Sequence, residues 1–462
     1  MKLFNFTKSL TKKFKREHPT TVAVSDQLQQ YVTIGEYEPD AKVGSIDCSQ
    51  YILTVYQDEA GLHQALRKKD GDMLSPDFVR TYNEELGYFR PFRHANTGRR
   101  VRVESMLDDF VTGVKAQTRQ GKNSINIGLI TDTHFKDRNS ADFYGWNGLT
   151  HVREFSYLDQ LDVLNFKAHL GDWIDGSDAG LVSENELVKI RCAFVNKRIP
   201  FMILKGDHDE NDKFDENHDL SASFPENEFA NIMWPSMYKQ MAVHYISKQH
   251  GVCYFDFDDI RLISVNTSDV PYSLNEKGQK IYDAKLTMAV REDQIEEIIE
   301  ILTDSDGKKI VFLGHSAPID KRGNTALKYN GRSLHELFVA FNQRESGRMH
   351  SSNEVPAVFR LSNRFDFSAI KDAKIVAFLG GHQHMEDQYR INGIQYILFN
   401  CSALMGQNHS LTTKYNKAIN RKLDRDNESC GYIVNVDLQS SQIQAFGFGA
   451  GSRRRVFLLD RN

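Results

Sequence analysis

Cysteine is scarce in this chain, with five residues in 462. Cys48, Cys192, Cys253, Cys401 and Cys430 are scattered, odd in number and never spaced as Cys-x-x-Cys. That pattern excludes a disulfide framework or a zinc knuckle, and reduced thiols are expected. Long apolar runs are also missing. No stretch approaches the ~18 consecutive apolar residues of a membrane span, and residues 1–16 lack the apolar segment of a secretory signal. Neither a transmembrane segment nor a signal peptide is therefore expected. Nor is there an excess of positive charge. The net charge is −4 and the main basic clusters lie near the termini, which argues against general nucleic-acid binding. Internal repeats and low-complexity tracts are absent.

What the chain does have is material for a core. Hydrophobic residues make up 40% and charged residues 26%, ordinary for a globular protein. Its length suits about two to three average domains, or one large domain with an appendage. The most informative stretch is Ile199-Pro-Phe-Met-Ile-Leu-Lys-Gly-Asp-His-Asp209. Residues 199–204 read as a strand buried on both faces of a parallel sheet. Ligands of open α/β sheets bind at the carboxyl ends of strands, so Asp207, His208 and Asp209 fall at a site edge. Four further strands end alike. Residues 125–131 run into Asp132-Thr133-His134, 166–170 into Gly171-Asp172, 309–313 into Gly314-His315, and 374–379 into Gly380-Gly381-His382-Gln383-His384. After all but the first, glycine lets the backbone turn sharply. Asp or His always follows, and these are the oxygen and imidazole ligands that suit divalent cations. Any one ending alone is an ordinary turn; five together are not.

The ordered blocks Asp-x-His, Gly-Asp, Gly-Asp-His-Asp, Gly-His and Gly-His-x-His resemble those of the calcineurin-like metallophosphoesterases. The resemblance covers roughly residues 121–450 and departs once, at Asp207, where the family usually has Asn. It implies an α/β fold of two packed mixed β-sheets flanked by helices, with an N-terminal appendage. It also implies two divalent metal ions, Mn, Fe or Zn, on mixed imidazole and carboxylate ligands. Asp132, His134 and His384 would hold one metal, Asp172 would bridge, and Asp207, His315 and His382 would complete the second site. His208 would act as general acid, with Asp209 orienting its imidazole. The implied activity is metal-dependent hydrolysis of phosphate esters. An ionised Asp207 makes the site less positive than Asn would, so diesters are expected to be favoured over monoesters. Two alternatives stand beside this reading. One is a virion- or cell-envelope-associated component that cleaves a phosphodiester polymer such as teichoic acid; the other is a metal-binding homologue without turnover. The expected location is cytoplasmic or virion-associated.

Three segments are read: 1–120 as an appendage for docking or oligomerisation, 121–450 as the esterase domain, and 451–462 as a basic tail. Within the appendage, Leu3, Phe6, Leu10 and Phe14 fall at helical spacing beside basic residues, read as a piece docked on its own protein or a loose basic tail. A strand is expected over 51–56 and helices over 58–69 and 104–117. The aromatic and basic residues 88–93 read as a packed surface loop. The inserts 210–249 and 321–363 are where lids and specificity elements are expected. His169 reads as a satisfied core histidine, and His151, His244 and His409 have no assigned role. Residues 447–451 are glycine-rich without the strand–turn–helix context of a phosphate loop. Residues 453–455 read as a solvated basic end.

Overall fold

The structure is a computed structural model. It describes residues 102–459 apart from 120, 138–144, 146, 196–197, 213–222, 226, 278–279, 405–420 and 422–424. Before residue 102 it describes the backbone of six strands and the start of one helix. The segment 3–14, Cys48 and His409 lie outside the described residues.

Two compact units divide at Arg102/Val103. The first contains β1 (Thr21–Ala23), β2 (Gln30–Glu36), β3 (Tyr51–Asp58), β4 (Gly61–Lys68), β5 (Val79–Asn83) and β6 (Tyr88–Phe89), hydrogen-bonded in that order as an antiparallel meander. The strand expected at residue 51 is β3. The helix expected over 58–69 is instead β4. Leu62 and Leu66 are four apart, a spacing that shares one face in a helix and in a strand alike. Pairing decides between them, with Asp58 opposite Gly61 closing a hairpin.

Helix α1 (Thr97–Gln117) starts before the division, and its Val103, Leu107, Val111 and Val114 are buried in the core of the second unit. Their spacing makes a single helical face. Two six-stranded sheets dominate this unit. In one, β7 (Ser124–Ile130), β8 (Phe166–His169) and β9 (Phe201–Ile203) run parallel. On the other side of β7 stand the antiparallel β18 (Cys430–Asp437), β19 (Gln442–Gly449) and β20 (Arg455–Leu458). The second sheet has the order β10 (Tyr254–Phe257), β11 (Ile260–Val265), β12 (Lys309–Gly314), β15 (Lys374–Gly380), β17 (Ile394–Leu398), β16 (Asp387–Ile391). Its four central strands are parallel and its two edges antiparallel. A small antiparallel pair, β13 (Ser346–Arg348) and β14 (Arg364–Asp366), lies within the 321–363 insert and just after it.

Strand alternation builds the layers. Val311 and Leu313 of β12 join the cluster containing Ile127, Leu129 and Ile433 of the first sheet. Their neighbours Ile310 and Phe312 join a second cluster with Ile295, Ile298, Leu334 and Phe338. Those last four come from α4 (Glu292–Thr303) and α5 (Gly331–Gln343). On the first sheet, α2 (Asn147–Tyr157) and α3 (Gly180–Phe194) contribute Phe155, Leu187 and Phe194 to the first cluster. Two mixed sheets flanked by helices result, the α/β architecture expected. Of the C-terminal basic residues, Arg453 and Arg454 are exposed, and Arg455 alone departs from the solvated reading. Arg455 begins β20 and lays its guanidinium over Phe399, 5.3 Å from the ring centroid, while donating to the Leu398 carbonyl.

Candidate metal centre

The carboxyl ends of β7, β8 and β9 meet those of β12 and β15, and the loops leaving them bring together all seven residues expected as metal ligands. Asp132, His134, Asp172 and His384 form one group, and Asp172, Asp207, His315 and His382 form another, each with ligand atoms within 4.8 Å of one another. Asp172 belongs to both. Five of the seven have left-handed backbones: Asp132 (φ 51°), His134 (42°), Asp172 (55°), His382 (66°) and His384 (52°). A non-glycine residue there costs roughly 1–2 kcal/mol, and such strain collects at functional sites. Hydrogen bonds between the loops hold it in place. Asp132 N donates to Gly171 O (3.0 Å), His134 N to Asp172 O (3.1 Å), Gly381 N to His315 O (2.8 Å) and Ala403 N to Asp132 O (2.9 Å). Glycine is required at 206, where a Cβ would lie 2.1 Å from Asp172 Oδ1.

Within the first group, His134 Nε2 and His384 Nε2 are 2.9 Å apart, and His384 Nε2 is 3.3 Å from Asp132 Oδ1. Within the second, Asp207 Oδ1 is 2.9 Å from both His315 Nε2 and His382 Nδ1, and His315 Nε2 is 3.3 Å from Asp172 Oδ2. Metal–ligand bonds of about 2.0–2.2 Å place neighbouring ligand atoms roughly 3–3.5 Å apart, so these donor sets fit a divalent cation each. The imidazole orientations agree. The Leu170 carbonyl takes the Nδ1 proton of His315 at 2.9 Å, which leaves Nε2 as the ring atom facing the carboxylates. Asp132 is further held by Thr131 Oγ1, which donates at 2.6 Å. Burial by itself would raise the Asp132 and Asp207 carboxyls, but adjacent imidazoles hold both below the usual range: His384 beside Asp132, and His382 and His315 beside Asp207. Burial would lower His315, yet Asp172 and Asp207 hold it well above an ordinary histidine. Asp132 and Asp207 are thus both held toward their charged forms.

His208 and Asp209 part company. His208 donates Nδ1–H to the backbone carbonyl of Asp175 at 2.8 Å, so the orienting role expected of Asp209 falls to Asp175. Asp209, fully buried, turns the other way and accepts from the backbone N–H groups of Gly206 (2.7 Å), Trp173 (2.8 Å) and Asp172 (3.0 Å). It stitches the β8 and β9 loops together. Burial and the neighbouring Asp172 carboxylate push its pKa up to about 8, against the N–H donors that favour its charge. Sequence reasoning stopped at Asp172 and missed Asp175, three residues on; the available signal was a second acid in the same block, Gly-Asp-Trp-Ile-Asp. His169 is the core histidine expected, stacked on Trp173 at 3.7 Å and bonded to Thr133 Oγ1 at 3.0 Å. His151, unassigned from sequence, is buried against Glu428 at 2.9 Å. Among the described residues four cysteines are free, and no helix is long and apolar enough to cross a membrane.

This fold carries a pair of residue groups that could hold two metal ions. The chain matches the calcineurin-like phosphoesterase family over residues 125–386 and belongs to it; it is a metal-dependent phosphoesterase of a dimetal family. No curated protein matches it in sequence. Among solved structures it is similar to a dimetal phosphatase from Danio rerio, at 12% identity and a TM-score of 0.47, over 73% of this chain and 99% of that one. It is also similar to the purple acid phosphatase PPD1 from yellow lupin seeds, at 11% identity and a TM-score of 0.38, over 96% of this chain and 67% of that one. A third is GAP50, the anchor in the inner membrane complex of Plasmodium, at 10% identity and a TM-score of 0.38, over 73% and 89%.

Proposed function

We propose that this protein hydrolyses phosphodiesters in preference to phosphomonoesters, with His208 as general acid and Asp172 shared by the two groups that would each hold a divalent cation. Bound in the two ligand groups, the cations would supply Lewis acidity and a water acidified enough to attack phosphorus at neutral pH. The chain's own residues do the rest. Asp132, His134 and His384 hold one side of the site; Asp207, His315 and His382 hold the other. His208, its Nδ1 proton committed to the Asp175 carbonyl, presents Nε2 as the atom that protonates the leaving oxygen.

The observation that carries the diester preference is Asp207, a carboxylate 2.9 Å from two imidazoles and held ionised by them. Asparagine there would leave the site one unit more positive. A dianionic monoester loses about twice as much Coulomb attraction to the less positive site as a monoanionic diester does. The test is kcat/KM for ethyl nitrophenyl phosphate and nitrophenyl phosphate at saturating metal. The diester should be the better substrate, and Asp207→Asn should move the ratio toward the monoester. A ratio that stays put, or moves toward the diester, rules the charge argument out.

A further inference from the structure

A cleft whose lining flanks the second ligand group in sequence, without including any of its ligands, has no role in the chemistry above. One wall follows β9, with Lys205 just before Gly206-Asp207 and Glu210 just after Asp209. The facing wall follows β11 through Asn266 and Asp269. That loop is tied to the His315 turn, because Thr267 Oγ1 accepts from Ser316 N at 3.0 Å. The cleft encloses about 50 Å³, and the rest of its space is open to solvent.

Its lining is charged and balanced. Lys205 Nζ meets Glu210 at 2.7 Å, Lys280 Nζ meets Asp212 at 2.8 Å and Glu210 at 3.7 Å, and Arg291 meets Asp269 at 2.7 Å. Three cations alternate with three carboxylates, and Lys205, Asp212 and Asp269 are buried. Asp212 also accepts from Ala284 N at 2.7 Å, which fixes the segment carrying Lys280 to the β9 loop. Tyr272 stands at the rim, 38% exposed, with Lys280 Nζ 5.6 Å from its ring.

Such a wall discriminates by chemistry. A second anion would be opposed by Glu210 and Asp269 as much as drawn by the lysines, and a cation the reverse. An apolar group would strip water from six charged side chains and return no hydrogen bonds. Hydroxyl groups both donate and accept, so a neutral group dense in hydroxyls satisfies donors and acceptors together, with an aromatic rim for its carbon face. We infer that this cleft is the subsite for an uncharged polyhydroxylated alcohol, a polyol or sugar, esterified to the phosphate at the metal centre.

The inference rests on the phosphodiesterase reading and can fail apart from it. The probes are two nitrophenyl phosphodiesters that differ only in the second alcohol, glycerol against propanol, given to the full chain with metal restored. The glyceryl ester should have the higher kcat/KM by about tenfold or more, the worth of one hydrogen bond to a charged group. Tyr272→Ala and Lys280→Met should each lower that ratio. A ratio near one in the unaltered protein, or one that survives both substitutions, overturns the subsite. If neither ester is cleaved, the phosphodiesterase reading has failed instead. Saturation-transfer NMR with bis(glyceryl) phosphate then decides the subsite alone: transfer to the glycerol protons that weakens in Tyr272→Ala supports it, and absence of transfer overturns it.

Discussion

At the scale of single residues, His208 shows how a backbone atom can set a side chain's chemistry. Because the Asp175 carbonyl can only accept, it fixes the Nδ1 proton and leaves Nε2 as the ring nitrogen open to proton transfer. His208→Asn should therefore leave metal content intact and lower kcat by about 10²–10⁴-fold on esters with alkyl leaving groups. The loss should shrink for nitrophenyl esters, whose leaving oxygen scarcely needs a proton. Steady-state rates on both kinds of ester, with elemental analysis of each protein, check this; equal losses would remove His208 from the acid role. The seven residues named from sequence as ligands all come together because each is a side chain whose identity is its function. Asp209 and Asp175 were not legible in the same way. What distinguishes them is whether a backbone N–H or a carbonyl faces a neighbour, and residue letters do not encode that.

At the scale of elements, strand positions were legible because β9, β12 and β15 are nearly all apolar and stop at a turn. Pairing order was not legible. Nothing local to residues 430–437 says that β18 inserts antiparallel beside β7. In β4 an even leucine spacing fitted two periods at once, and a partner strand resolved it. The turns themselves are demanding. Asp172 reaches the second ligand group across Gly206, with no room for a methyl between them: the added Cβ would sit 2.1 Å from Oδ1 and 2.3 Å from the Asp172 backbone nitrogen. Backbone cannot yield there as a flexible side-chain end would, because the Gly206 and Asp172 N–H groups are both pinned by Asp209. Gly206→Ala should displace Asp172, lowering bound metal per chain and turnover together. Normal metal content measured by elemental analysis would show that the loops have slack that this geometry denies.

At the scale of the whole molecule, the informative feature is where the two units divide. A cut at residue 120, suggested by the polar stretch 118–124, removes α1 along with the appendage. Yet Val103, Leu107, Val111 and Val114 belong to the esterase core, and Phe110 meets Phe448 of β19 edge-on at 5.5 Å. Fully burying a side chain of this kind stabilises by roughly 1.5–3 kcal/mol, so losing four of them is a large fraction of the margin of an ordinary domain. A chain of residues 103–462 should keep its metals and its activity on small diesters. A chain of residues 121–462 should unfold at a clearly lower urea concentration, because β19 would expose apolar surface that α1 now covers. Equal urea midpoints would mean that the helix contributes nothing to the core. The opposite failure is equally informative: a 103–462 chain that is soluble and metal-loaded yet inactive would place part of the active site in the first unit.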